Sequence, residues 1–227
     1  MTDGPSPASS PPSSHDVIIV GGGPNGLAMA LALAGPQARP PARVLLVDAR
    51  DPRNLAAAAM DTRGSALTRA TQNVFKGLGV WPALAPHCAE MSHIVVTDGK
   101  GSLDTRPALL SFLADGEGKA AATMTENRWI AEAFIGKIDT VPGIEIRGGV
   151  TITAITRTPG FAEVHLADGS SARAPLLIGA DGRNSFVRND LGIAVDGHDD
   201  NQVALTFAMA HELPHGNRAE EHFSATG

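Results

Sequence analysis

Tyrosine is absent from this 227-residue chain, and aromatic residues of all kinds make up 4% of it. Surfaces that stack nucleobases or sugar rings need several such side chains, so neither an aromatic base platform nor an aromatic sugar cleft is expected. Cysteine occurs once, as Cys88, which excludes an intramolecular disulfide and a cysteine-built metal cluster within one chain and fits a reducing compartment. Basic residues are outnumbered, 18 Lys plus Arg against 24 Asp plus Glu, and the formal net charge of −6 has the wrong sign for coating phosphates. No nucleic-acid partner is therefore expected. Long apolar runs are missing too: residues 27–34 form one of the longest, far short of the roughly 18 that a membrane span needs.

What is present is a chain with 43% hydrophobic residues and 25 glycines, enough for one large domain or two small ones. Residues 1–15 hold four prolines and five serines with no apolar periodicity and read as a flexible tail. That stretch lacks the basic start and apolar core of a secretory signal, and the first arginine, Arg39, comes too late for an organellar address.

Order is expected from Asp16. Asp16-Val17-Ile18-Ile19-Val20 is a short β-branched run ending on glycines, as buried parallel strands do; residues 25–34, rich in Ala and Leu, read as a helix closed by Gly35-Pro36. A second buried strand at residues 43–47 ends at Asp48, completing a strand, helix, strand unit of about thirty residues. Beyond it, residues 65–77 and 127–138 read as helices, and residues 93–97 and 101–106 as strands joined through Asp98-Gly99. Residues 143–173, broken by Pro159-Gly160 and Asp168-Gly169, read as an antiparallel meander. A buried strand at 176–180, a short helix at 184–191 and an extended stretch at 202–212 follow. The expected class is α/β: a doubly wound, Rossmann-like parallel sheet with an antiparallel meander, interrupted by a second sheet.

Gly21-Gly22-Gly23-Pro24-Asn25-Gly26 is G-x-G-x-x-G placed between strand and helix. Gly21 makes the tight turn, Gly23 lets the backbone approach a pyrophosphate, and Gly26 allows the helix to pack closely on the strand. Pro24 and Asn25 open the helix, whose free amides and dipole attract phosphate. Asp48 follows Gly26 at the distance where a carboxylate accepts hydrogen bonds from an adenosine ribose. FAD and NAD share this pattern, and Asp48 disfavours only the 2′-phosphate of NADP. The alternative is a glycine-rich turn without function.

Downstream, Leu176-Leu177-Ile178-Gly179-Ala180-Asp181-Gly182-Arg183-Asn184-Ser185-Phe186-Val187-Arg188 is a strand, two small residues and D-G-x-x-S-x-x-R. It resembles the second sequence fingerprint of the flavin aromatic hydroxylases, in which the Asp-Gly pair lies near FAD and the pyridine nucleotide. Physically, Gly179 and Ala180 leave room and Asp181 with Gly182 presents an acceptor to hydroxyl groups. The alternative is an Asp-Gly turn that caps a helix.

Further segments are similar to the ubiquinone-biosynthesis hydroxylase family: Asp61-Thr62-Arg63-Gly64-Ser65-Ala66-Leu67-Thr68, then Leu78-Gly79-Val80-Trp81, Thr125-Glu126-Asn127-Arg128, and the run from Pro214-His215 to Phe223. The resemblance covers residues 16–227 and implies an FAD-dependent monooxygenase that hydroxylates the ring of a polyprenyl phenol with NADH or NADPH and O2. It also implies that Arg63 lies against FAD and that Asn127 faces its ribityl or flavin part; a solvated arginine and a helix N-cap are the alternatives. No residue is expected to act as a catalytic acid or base, because the flavin carries the chemistry. The implied domains are FAD-binding at 16–85 and 125–192 and part of a substrate domain at 86–124 and 193–227. A cytoplasmic protein, peripheral on the inner membrane or within a quinone-biosynthesis complex, is the implied setting. The family's third fingerprint, a Gly-Asp-Ala-Ala-His segment, has no counterpart in these residues. An incomplete form is therefore expected, with an unpaired edge beside the strand at Leu176 and a complementing C-terminal chain as partner. A hydroxylase of small soluble phenols and a non-catalytic dinucleotide-binding fragment are the alternatives.

His211-Glu212-Leu213-Pro214-His215 matches H-E-x-x-H, which in zinc peptidases requires both histidines on one face of a continuous helix. Pro214 would cost such a helix about 3 kcal/mol, so no metal site is expected. Cys88 reads as a small packing residue.

Overall fold

A computed structural model describes residues 13–57, 63–98, 107–113 and 120–224. In chain order its elements are β1 (Ser13–Ser14), β2 (Val17–Val20), α1 (Pro24–Ala34), β3 (Val44–Asp48), α2 (Pro52–Ala57), β4 (Gly64–Thr68), α3 (Arg69–Gly77), α4 (Trp81–Leu84), β5 (Cys88–Met91), β6 (His93–Asp98) and β7 (Ala108–Leu113). They continue with β8 (Ala122–Glu126), α5 (Asn127–Ile138), β9 (Ile144–Gly148), β10 (Ile152–Thr158), β11 (Phe161–Leu166), β12 (Ser171–Ala174), β13 (Leu176–Gly179), α6 (Phe186–Asp190) and β14 (Arg218–Phe223). Two compact units result, Met1–Ala58 with Ala131–Gln202 and Ala59–Ile130 with Val203–Gly227.

The first unit is built on a parallel sheet in the order β13-β2-β3-β9. β2 and β3 are apolar at nearly every position because both faces of the sheet are covered. Ile18, Val20, Leu45 and Val47 pack against Ile152, Val164, Leu166 and Ala172 of the meander β10-β11-β12. The neighbouring positions point the other way. That side carries α1, which buries Leu27, Ala30, Leu31 and Ala34 along one stripe and ends at Gly35, whose amide returns to the Leu31 carbonyl at 2.8 Å. Each leucine removed from water in this way contributes about 1.5–3 kcal/mol, and each alanine less. β13 is last in the sheet order, so among the described residues its outer edge is unpaired, as the sequence leads one to expect.

In the second unit β4-β8-β5 form an antiparallel sheet, and β14-β6-β7 a mixed one in which β14 runs parallel to β6. No helix among the described residues is long and apolar enough to cross a membrane.

The structure differs from the sequence-based expectation at four places. Residues 65–77 are not one helix: Gly64–Thr68 pairs with β8, and the Thr68 side chain then accepts the Thr71 amide at 3.3 Å to start α3. Cross-strand pairing overrides helix propensity there. Ile144–Gly148 is not part of the meander but the parallel neighbour of β3; its alternation of Ile with Glu and Arg reflects an edge strand with one wet side. The tail is ordered from Ser13, since β1 pairs with β12 and His15 is buried. The antiparallel partner of β6 is β7; Gly99 and residues 101–106, read as its turn and partner strand, lie outside the described residues. Residues 202–212 form no strand, and the extended element of that region is β14.

Candidate functional site

The loop between β2 and α1 is fixed by contacts that only glycine allows. Gly21 donates its amide to the Val47 carbonyl at 2.8 Å, and with φ +111° it adopts a backbone shape that side chains disfavour. A β-carbon there would lie 2.3 Å from the Ala180 carbonyl oxygen, so this turn and the end of β13 touch through bare backbone. A β-carbon on Gly26 would sit 1.9 Å from the Gly21 carbonyl oxygen. Around Gly23 the situation is the reverse, with nothing within 4 Å of the corresponding position. Gly23 is also the N-cap of α1 and gives no side-chain cap, Pro24 occupies the first turn, and that turn holds no acidic residue. The first-turn amides of a helix have no internal acceptor, so the positive end of α1 opens on free space beside Gly23.

Asp48 stands at the end of β3. Its Oδ2 accepts the Gly22 amide at 2.5 Å and its Oδ1 the Arg50 amide at 2.7 Å. Both bonds aim the carboxylate, and each oxygen keeps a lone pair for a further donor. A cavity of about 380 Å³ is bordered by Gly21, Gly23, Asp48, Arg50, Asp181 and Asn184 among others. The expected dinucleotide-site residues Gly21, Gly23, Asp48, Asp181 and Gly182 thus line one space. Pro24 and Asn25 are exposed at the helix start, and Gly26 is buried beneath.

The D-G-x-x-S-x-x-R segment has an internal logic. Asp181 accepts the Ser185 hydroxyl at 2.5 Å through Oδ1 and the Val187 amide at 3.1 Å through Oδ2. Ser185 Oγ accepts the Arg188 amide at 3.0 Å, and Arg188 donates to the Arg183 carbonyl at 2.8 Å. Gly182 supplies the turn at φ +80°, and a β-carbon on Gly179 would press Val187 at 3.0 Å. The helix-capping role of Asp181 and its place on the cavity wall therefore coexist.

Arg63 and Asn127 belong to the second unit. The Asn127 amide donates to the Arg63 carbonyl at 3.0 Å, and Asn127 Oδ1 accepts the Ser65 hydroxyl at 2.6 Å. Asn127 is the first residue of α5. A second cavity of about 740 Å³ in this unit is lined by His87, Cys88, Met124, Thr125, Leu205 and Phe207 among others. Burial pushes the Cys88 thiol up, against a smaller opposing effect of Thr125, which suits packing rather than nucleophilic attack. Beside it the His87 and Trp129 rings stack at 3.7 Å, with the Arg128 guanidinium 4.7 Å from the Trp129 ring.

Residues 211–215 are not helical, and the two histidine rings meet edge to face at 5.9 Å, so the one-face geometry of H-E-x-x-H is not formed. Sequence reasoning missed His15, whose Nε2 meets Glu145 Oε2 at 3.1 Å. Its place directly before Asp16 and the first strand was the only available signal.

A glycine turn feeding an uncapped helix N-terminus, with an aimed carboxylate at the end of the next parallel strand, defines a dinucleotide-binding α/β protein. Comparison with known proteins narrows the class: the chain belongs to the FAD binding domain family, whose model matches residues 14–224. It is 34% identical over 213 residues to the ubiquinone hydroxylase UbiL of Rhodospirillum rubrum, a match spanning 93% of this chain and 47% of that protein. To the 3-demethoxyubiquinol 3-hydroxylase of Escherichia coli it is 29% identical over 224 residues, spanning 93% of this chain and 52% of the enzyme. The flavin-dependent monooxygenase PieE, solved with FAD and substrate, superposes with a TM-score of 0.66 at 25% identity over 83% of this chain and 34% of its own. The chain thus spans about half the length of the curated relatives it matches.

Proposed function

We propose that this chain carries the cofactor-binding part of an FAD-dependent monooxygenase that hydroxylates the aromatic ring of a ubiquinone precursor, with NADH or NADPH as reductant. The observation that carries the reading is the open space at Gly23, where an uncapped helix N-terminus and the Asp48 carboxylate border the same cavity. These residues fit a dinucleotide. The amides of Asn25 and Gly26 would face its pyrophosphate, Asp48 would accept from ribose hydroxyls, and Asp181 with Gly182 would border the remainder. Pro24 keeps the first turn in place without a competing amide. Arg63 and Asn127 would serve the flavin side.

FAD, when bound, takes electrons from the nicotinamide and transfers them to oxygen, so the protein need supply no metal or nucleophile. Its own residues bind, orient and exclude water. The substrate is a prenylated phenol, the working form includes polypeptide equivalent to the rest of the relatives, and the setting is the cytoplasmic face of the inner membrane.

The test is an FAD titration of the purified chain, followed by NADH and NADPH oxidation assays with a prenylated phenol and with a hydroxybenzoate. Saturable flavin binding, lost when Gly23→Val fills the open space, is expected, with hydroxylation of the prenylated phenol once the remaining polypeptide is supplied. Absence of flavin binding at saturating FAD would falsify the cofactor reading. Hydroxylation of the hydroxybenzoate alone would move the activity to small soluble phenols.

A further inference from the structure

Asn127 is held at two points. Its backbone amide donates to the Arg63 carbonyl at 3.0 Å, where β8 gives way to α5, and its side-chain Oδ1 accepts the Ser65 hydroxyl at 2.6 Å. Ser65 comes from β4, whose antiparallel pairing with β8 sets it opposite Thr125, two residues before Asn127. The strand pairing thus delivers the hydroxyl to the amide. A separation of 2.6 Å suits an O–H···O bond and is shorter than the usual N–H···O range, so the amide turns its oxygen to Ser65 and not its nitrogen. With the oxygen used in this way, the other end is Nδ2 with two N–H donors, and among the described residues no group accepts from it. Asn127 is half-buried, so a fixed amide with free donors stands at an accessible position.

We infer that Ser65 is a positioning residue, which fixes the polarity of the Asn127 amide so that Asn127 offers N–H donors to an acceptor atom of the flavin ring. The inference rests on the proposed FAD reading and deepens it, because Asn127 could otherwise serve either the ribityl chain or the ring. Ribityl hydroxyls both donate and accept, and either end of an amide satisfies them. The carbonyl oxygens and bare nitrogens of the ring only accept, so a fixed polarity has value against the ring. A loose asparagine could turn its oxygen toward those atoms. The Ser65 hydroxyl, by donating to Oδ1, holds the productive orientation before the cofactor arrives. A donor to the ring also grows stronger as the ring gains electrons, and so raises its reduction potential. Ser65 acts on that potential through Asn127, without touching the cofactor.

The test titrates the full chain and its Ser65→Ala, Ser65→Thr and Asn127→Asp variants with FAD and with ADP, and records the visible spectrum and midpoint potential of the bound flavin. Circular dichroism and urea midpoints report the folding of each protein. In Ser65→Ala, where the amide is free to turn, FAD affinity is expected to fall about three- to tenfold and the flavin potential to move down. Ser65→Thr keeps the hydroxyl and is expected to keep both values. Asn127→Asp still accepts from Ser65 but has no donor left to offer, and a loss of about tenfold or more in FAD affinity is expected. ADP, which lacks the flavin, should bind all four proteins alike. A merely structural Ser65 would lower the urea midpoint of Ser65→Ala and leave the potential and spectrum where they were, which overturns the inference. It is overturned equally if Ser65→Thr behaves as Ser65→Ala, or if Asn127→Asp binds FAD as the wild type does. A wild-type chain that takes up no FAD sinks the cofactor reading and this inference with it, whereas FAD binding indifferent to all three substitutions sinks this inference alone.

Discussion

Gly26 and Gly21 meet so closely that a β-carbon on the first would stand 1.9 Å from the carbonyl oxygen of the second. The obstacle is backbone, which cannot rotate away as a side chain can. Gly26→Ala must push α1 off β2, at a cost of about 1–3 kcal/mol or more. A lower urea midpoint together with loss of flavin retention is expected, and an unchanged midpoint in Gly26→Ala would contradict the packing described.

Asp48 holds the Gly22 and Arg50 amides with separate oxygens. Asp48→Ala removes both latches as well as the proposed ribose acceptor, and FAD affinity is expected to fall about tenfold or more, about 1.4 kcal/mol. Asp48→Asn keeps one oxygen and loses less. Isothermal titration of the three proteins orders them, and equal affinities would dissociate Asp48 from binding.

Ser185 is the pivot of the Asp-Gly segment, donating to Asp181 and accepting from Arg188. Ser185→Ala removes the cap of α6 and should cost about 1 kcal/mol in urea unfolding, whereas Ser185→Thr, which retains the hydroxyl, should cost less. Indistinguishable Ala and Thr variants would remove the capping role.

Glu145 offers a pH-dependent contribution to stability. Burial on its own would raise its carboxyl, but hydrogen bonds from Arg147 and His15 outweigh that and hold it below the ordinary value of 4.5. A depressed folded value means that the wild-type protein gains stability above 4.5 and loses it as pH falls through the folded value. Unfolding midpoints of wild type and Glu145→Gln should therefore differ near neutrality and converge in acid. A difference that widens on acidification would reverse the assignment.

Much of the dinucleotide half was legible because its signals are local. β2, α1 and β3 are successive, their glycines work within one turn, and apolar runs buried on both faces read plainly. What failed depended on distant partners. Gly64–Thr68 becomes a strand only because β8 lies beside it, and Ile144–Gly148 joins the parallel sheet through β3, nearly a hundred residues earlier. His15 was hidden for the same reason, since burial of a residue after a Ser/Pro run rests on β12 and Glu145. At the site, Asp48 and Asp181 were legible as residues, but the hydrogen bonds that aim them were not. Residues 202–212 were read as extended from their composition alone, and they form no strand because, among the described residues, none pairs with them.

The parallel sheet takes β2 and β3 from early in the chain and β9 and β13 from late in it, with Val17 paired to Leu176. On a ribosome, where the N-terminal end emerges first, the glycine turn is synthesised long before the backbone of Ala180 that braces it. Until residue 180 has cleared the exit tunnel, β2 presents an edge of unpaired backbone groups and the cavity lacks one wall. The cavity beside Gly21 is thus a late event in the life of the nascent chain, because its wall at residue 180 must wait for a pairing of high sequence separation.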